Sequence, residues 1–592
     1  MTMTQPNLNL AVIGNCALNA LIDEQGSIVF SCWPEPDKDP IFNALLDGGS
    51  EKPPAHFGLS LENQRRCYQR YLPNTPIVEA LLEDKDQNVV RVTTFFPRTQ
   101  DSDEAQCPKK LVRMVELVRG KPRLNVEIRP RFLYNAKDAT TVLDDTTASY
   151  SGGGLSVYLT TDVSIMNVVK ASTFSVEKDF SIVLSSDLSE LPSKDSCFEH
   201  SSRLLTQTVA YWNGWVESLT VPEAHRDQII RAAIGLKLCW YQETGAMLAA
   251  LTLGLPAEPN SNRNWDYRYC WLRDAYYSIE ALYKLGDKET LFSYKKFITP
   301  VLKEISQGHV QCMYDLHGNK KLTEKIEPNL RGYRGLGPVL SGNKASEQVQ
   351  LDCFGHVINI FRMAIVESGC CPNDELKLLE ATAEQARRHY QEPDSGFWEL
   401  RGSQHVHTNS AIVSWSAMDS MQAIYRVLGQ TANSDKWAKE KELCKTVIME
   451  HAWHKDQHAL MGHFGGDKLD TTILCLVNLS MLDRNDPRLK STVNAMRQRL
   501  DRNGFILPHE GEDDFGERTC GFNLCTFWYA SALYQVGYVD EAEWIYQGML
   551  DSANGFGYLS EVIDPKSGEL WGNYPQAYSL IGMIDTGVNI SV

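Results

Sequence analysis

The sequence predicts a chain of two unlike parts: an antiparallel β-sandwich over residues 1–210, and a helical domain over 226–592, joined by a linker at 211–225. Three observations predict it. At 592 residues the chain exceeds what one hydrophobic core usually organises. Up to about residue 200 apolar and polar residues alternate at strand period, and beyond it the apolar spacing becomes helical.

The strand signals, in order, are "NVVRVTTFFP", "KKLVRMVELVRG", "RLNVEIRPRFLYN", "GGLSVYLTTD" and "FSIVLSSD", punctuated by Gly, Pro, Asn and Asp. No helical pattern separates them, so a sandwich of antiparallel sheets is expected. After "WNGWVESLTVPEAHRDQ", helices are expected near 226–241, 272–285, 287–307, 350–369, 375–391, 410–429, 434–452, 470–483, 487–500, 521–536, 539–551 and 574–589. Several are paired by short connections and so should be antiparallel neighbours, and this number of helices suits a ring of six hairpins. The longer non-helical segments, 308–349, 392–409, 502–520 and 553–573, hold aromatic and charged residues and are where function should concentrate.

Composition narrows the partner. Lys and Arg number 58 against 75 Asp and Glu, a net charge of −17, which argues against nucleic acid or an anionic membrane and suits a neutral ligand. A basic segment followed by an apolar run is absent from the start, and no run of about 18 apolar residues occurs, so a cytoplasmic setting without membrane attachment is expected. The 15 cysteines are scattered without metal-ligand spacing and read as reduced, mostly buried residues; no metal or cofactor is called for.

"NWDYRYCWLRDAYYSIEAL", residues 264–282, sets six aromatic residues beside Arg and Asp pairs at a helix start. Rings, carboxylates and guanidinium groups suit a sugar, which offers apolar C–H faces and a rim of hydroxyls. The plainer reading is an aromatic helix start packing a core. Two loop carboxylates also stand out. Glu399 in "DSGFWELRGSQHVH" follows Trp398, and an apolar ring beside a carboxyl group favours its protonated form, as a general acid requires. Glu561 lies in "GYLSEVIDPKSGELWGNYPQAYSLIGMID", ahead of two turn signals. Either alone reads as a solvated loop carboxylate. Together they supply what inverting glycoside cleavage needs, one group to protonate the leaving oxygen and one to activate water on the opposite face.

"RNWDYRYCWLRDA", the "GYRG…PV…GN" pattern with "QLD" across 332–355, "GFWELRG" and "SEVIDPKSGELWGNYPQAYSLIGMI", in this order, resemble glycoside hydrolase family 15, the glucoamylase, glucodextranase and bacterial trehalase group. "AVIGNCALNALIDEQGSIVFSCWPEPDKDPIFNALLDGG" resembles the amino-terminal domain of its prokaryotic members, so the likeness runs from about residue 11 to 590. The resemblance implies a β-sandwich followed by an (α/α)6 barrel, with no cofactor. Residue by residue, it implies Glu399 as general acid, Glu561 as general base, Arg273 and Asp274 holding the hydroxyls of the non-reducing glucose, and Trp271 and Trp398 walling that site. Asp266 and Arg268 should brace this layer. Tyr333 and Arg334 keep the family pattern and are expected either to reach the ligand or to brace their loop.

Departures from the pattern fall at Gly337 and Leu340, where many relatives have arginines, and at "NSA", 409–411, where many have H-S-K. Fewer polar and cationic groups at the pocket mouth are therefore expected, altering the leaving-group subsite. Glu517 in "DDFGERTCGFNLCTFW" is a candidate for that subsite or for a supporting role. The expected activity is inverting, exo-acting release of β-glucose from an α-glucan or maltooligosaccharide, with trehalose or another small α-glucoside as the alternative. A phosphorylase would need an anion pocket in place of the base, and a silent sugar-binding protein would have no use for both carboxylates.

Overall fold

The computed structural model describes residues 6–48, 54–101, 104–402 and 404–591. The outer ends of the two expected domains, 1–5 and 592, and Ser403 of the loop carrying Glu399 lie outside the described residues.

Among the described residues the N-terminal part forms two large antiparallel sheets, with two short two-stranded ones beside them. One has the order Ala11–Gly14, Asn19–Ile22, Ile28–Trp33, Phe57–Leu61, Arg123–Ile128, Phe174–Ser175, with Asp39–Phe42 paired to Ile28–Trp33. The other runs Thr140–Leu143, Thr147–Gly152, Leu155–Thr161, Phe180–Ser185, Lys110–Arg119, Val89–Phe95, Val78–Asp84, Gln64–Tyr71. Period-two patterning makes the sandwich: Ala148, Tyr150 and Gly152 of one strand are buried while the residues between them are less so. Ile13, Leu59 and Val126 of the first sheet share one apolar cluster with Val92, Val115 and Ile182 of the second.

The sandwich strands stop earlier than residue 210. The last, Phe180–Ser185, is followed by the helix Cys197–Glu217, which runs through the expected boundary and into the expected linker. Its buried stripe, Leu204, Thr208, Trp212 and Val216, has strict four-residue spacing. Cys197 and Leu204 join a cluster with sheet residues, whereas Trp212 and Val216 join the core of the helical domain. One helix divided between two cores leaves no compositional edge at either.

The remaining helices form the (α/α)6 barrel. Leu272–Lys284, Asp352–Ser368, Thr408–Val427, the short Thr471–Leu474 and Cys475–Asn478 turns, Asn523–Gln535 and Ala577–Ile590 contact one another in sequence and close into an inner ring. Lys288–Ile305, Asn373–His389, Thr431–Ala452, Pro487–Arg499, Val539–Asp551 and Arg226–Leu238 lie outside it. Sequence sorts the layers. Asn523–Gln535 is buried on all sides up to Leu533, whereas Asn373–His389 buries only a stripe through Leu376, Leu379, Ala383 and Ala386.

One expected helix differs. The region 470–483 holds only a 3-10 turn and a single α-turn. Asp470 caps this start by accepting from Thr472 N, and Ser480 with φ 54° ends the segment in the left-handed region.

Candidate active site

Loops from several hairpins meet over one end of the ring and line a single polar and aromatic pocket that holds both Glu399 and Glu561. The stretch 264–274 contributes most of one wall because it is extended before it becomes helix. Trp265, Tyr267, Trp271 and Arg273 face the pocket, while Asp266 and Arg268 turn away. Period two in the extended chain explains the split up to Trp271, and Arg273 and Asp274 follow in the first turn of the helix that starts at Leu272.

Asp266 and Arg268 form a fully buried bidentate pair, Nε to Oδ1 at 2.9 Å and Nη2 to Oδ2 at 2.8 Å. Arg268 also donates to the Lys38 carbonyl of the sandwich at 2.5 Å and to Tyr134 Oη at 3.3 Å. This pair ties the wall to the other domain.

Glu399 has φ 57°, and three donors converge on its Oε1: Trp271 Nε1 at 2.6 Å, Arg273 Nη2 at 3.3 Å and Gln350 Nε2 at 3.3 Å. The indole beside this carboxylate acts through its N–H, and it belongs to Trp271. Trp398, adjacent in sequence, lines the pocket but gives its own N–H to Asp470 Oδ2 at 2.9 Å. Glu561 lines the same pocket. It is 3% exposed, and burial pushes its carboxyl above the ordinary 4.5. Tyr267 Oη donates to its Oε1 at 3.0 Å, and the Asn573 backbone N–H lies beside the same carboxylate. Tyr267 and Trp271, the donors to the two carboxylates, pack edge to face at 5.5 Å between ring centres. One aromatic pair therefore sets both acids.

Arg273 differs from expectation. Nε donates to Tyr578 Oη at 2.9 Å, Nη1 to Gln350 Oε1 at 2.8 Å and Asp352 Oδ2 at 3.0 Å, and Nη2 to the Phe397 carbonyl at 3.2 Å as well as to Glu399. Its N–H groups all meet protein acceptors, so this guanidinium, which also lines the pocket, braces the Glu399 loop. Asp274 beside it accepts from Tyr578 Oη at 2.8 Å, and burial raises its carboxyl to about 7. It lines the pocket, where a hydroxyl can reach it.

Tyr333 and Arg334 are outside the pocket lining. Arg334 pairs with Glu569 at 2.7 Å, donates to the Pro6 carbonyl at 2.6 Å and lies over the Trp571 ring. Gly48 packs so closely on this turn that a Cβ would come 2.8 Å from Arg334 Cα. Of the two roles expected for these residues, bracing is the one their placement supports.

The mouth is also not as expected. Gly337 and Leu340 do not line it, and the "NSA" stretch is buried beneath it: Asn409 donates to the Thr472 carbonyl at 3.0 Å and Ser410 to Asp394 Oδ2 at 2.8 Å. Cations reach the mouth from elsewhere. Arg263 grips Asp513 through two 2.7 Å bonds, Arg518 donates to Asp513 at 3.2 Å, and Arg401 pairs with Glu324 at 2.8 Å. Arg263 and Arg518 share Asp513, with Glu258 3.8 Å from Arg518 as a further carboxylate, so these cations are all paired with acidic groups. Glu517 is exposed and outside the lining; its hairpin neighbours Asp513 and Phe515 are in it.

A two-carboxylate pocket over an α/α ring, behind a β-sandwich, defines a glycoside hydrolase. The chain belongs to glycosyl hydrolases family 15, whose model matches residues 223–547, and the model of a trehalase-like N-terminal domain matches 4–169. A trehalase of Mycobacterium tuberculosis is 29% identical over 99% of this chain and 89% of its own length. A trehalase of Thermoplasma volcanium is 27% identical over 97% of this chain and 91% of its own. The fold matches a bacterial glucoamylase complexed with acarbose, with TM-score 0.70 at 12% identity over 99% of this chain and 94% of that one. No described helix is long and apolar enough to cross a membrane.

Proposed function

We propose that the protein is an inverting α,α-trehalase in which Glu399 protonates the bridging oxygen and Glu561 deprotonates the attacking water. The observation that carries this reading is that two carboxylates, one held by Trp271 and one by Tyr267, line a single pocket, the second of them buried. A raised carboxyl at Glu561 makes a stronger base once ionised. Asp274 and the Trp271 ring bind the first glucose, while Trp265, Phe515 and the paired arginines receive the second.

The sequence alone leaned toward a glucan. The trehalases related over nearly the full chain support trehalose instead. The test is glucose release from trehalose, maltose, isomaltose, kojibiose, maltopentaose and starch, with the anomers followed by NMR. Trehalose should be cleaved fastest and should yield one β-glucose and one α-glucose per turnover before mutarotation. Starch cleaved faster than every disaccharide, or two α-glucose products, would reject the reading.

A further inference from the structure

The hairpin at the mouth also holds the loop that carries Glu399. Strands Glu512–Asp513 and Gly516–Glu517 pair, and at their turn Asp514 Oδ2 accepts from the backbone N–H groups of both Arg401 and Gly402, the second at 2.8 Å. Two amide hydrogens on one ionised oxygen make a strong contact. The loop needs such support, because the left-handed φ of Glu399 costs an L residue on the order of 1–3 kcal/mol.

Holding is two-sided. From within, Gln348 Nε2 donates to the carbonyls of Glu399 at 3.0 Å and Leu400 at 3.2 Å. From the rim, Asp514 takes the next two N–H groups, and the Arg401 guanidinium lies 4.6 Å from the Trp265 ring centre. Gly402 marks the same contact independently. A Cβ there would lie 2.6 Å from Asp514 Oδ1, with all three nearest atoms belonging to that carboxylate, so residue 402 lacks a side chain where Asp514 sits. Asp514 itself is outside the pocket lining.

We infer that Asp514 is a positioning residue for the proton donor, acting through the 399–402 backbone to aim the Glu399 carboxyl at the bridging oxygen. The inference rests on Glu399 being the acid. It is tested on trehalose, whose leaving group needs a proton, and α-glucosyl fluoride, whose leaving group does not. Asp514→Ala should lower kcat on trehalose roughly 10- to 100-fold, the scale of a small misplacement of a catalytic group, with KM and fluoride hydrolysis changed less than about threefold. Asp514→Asn keeps an acceptor oxygen and should recover most of the loss.

Gly402→Ala should reproduce the defect, and Asp514→Ala/Gly402→Ala should be no worse than Asp514→Ala, since both act on one contact. Equal losses on the two substrates, unchanged trehalose activity, or additive defects in the double variant would overturn the inference. Should Asp514→Ala fail to fold, Gly402→Ala and Asp514→Asn carry the same comparison. Glu399→Gln keeps the two ideas separate: if it spares the fluoride and Asp514→Ala does not, only the positioning role falls; if Glu399→Gln harms both equally, the acid assignment falls.

Discussion

Glu561 is buried, and the Tyr267 hydroxyl and the Asn573 backbone N–H offset part of what burying its carboxylate costs. A base must be ionised to act, and burial raises this carboxyl, so kcat/KM should fall as pH drops through a value above the ordinary 4.5. A pH profile of kcat/KM checks this, and an acid limb at or below the ordinary value would contradict it. Glu399→Gln should cost on the order of 10²–10⁴-fold on trehalose and far less on α-glucosyl fluoride, while Glu561→Gln should cripple both. In a ligand-bound crystal structure the two carboxyl groups should be roughly 6.5–9.5 Å apart, the spacing that admits a water. Both glutamates were legible from sequence through their loops and the family pattern. Their donors were not: Tyr267 lay in the quoted stretch, but nothing local says that its hydroxyl meets a residue nearly three hundred positions away.

At the scale of elements, the turn after Glu561 and the root of the Glu399 loop are the sensitive parts. Gly572 has φ 82°, and a Cβ there would come 2.6 Å from both Glu561 Cβ and Oε2. Gly572→Ala should therefore combine backbone strain of about 1 kcal/mol with a displaced base, lowering kcat on trehalose and fluoride alike. Kinetics on the two substrates with a melting curve check this. At the other loop, Asp394 accepts from Leu351 N and Ser410 Oγ, its second oxygen is unpartnered, and burial raises it to about 7. A carboxyl raised from 3.8 binds its proton more tightly folded than unfolded, so its contribution to stability declines as pH rises from about 4 to about 7. Asp394→Asn should flatten that slope in melting temperature against pH. Helix existence was readable beyond residue 226, because amphipathic spacing survives in single sequences, whereas the helix Cys197–Glu217, shared between two cores, was not expected. The shortened 471–478 segment was not, since its apolar run looks helical until the Asp470 cap and the left-handed Ser480 are seen.

At the scale of the molecule, the sandwich acts as the back wall of the catalytic loops. Arg268 reaches the Lys38 carbonyl, Arg334 the Pro6 carbonyl, and Tyr574 Oη donates to the Leu10 carbonyl at 2.5 Å. Arg268→Ala would remove the counter-charge of the fully buried Asp266, so a loss of about 3–5 kcal/mol in denaturant unfolding is expected. Because the contact spans both domains, calorimetry of the intact protein should show one cooperative transition, and Arg268→Ala should split or broaden it. A variant as stable as the parent would show that this pair does not couple the domains.

Patterns that repeat every two or three to four residues are local properties of the chain, so the sequence by itself determined the β-sandwich, the paired helices and the loops in which the two glutamates lie. Which groups meet in those loops depends on closing a ring of helices and docking it on the sandwich, and neither leaves a local trace. Tertiary structure therefore decided that Arg273 spends its hydrogens on protein, that Arg334 faces the other domain, and that the mouth takes its cations from residues 263, 401 and 518 where the family pattern suggested 337 and 340. The physical reason is that a side chain's partners are fixed by whatever remote backbone shares its space, and a buried charge persists only where that backbone brings it a counter-charge or a hydrogen bond.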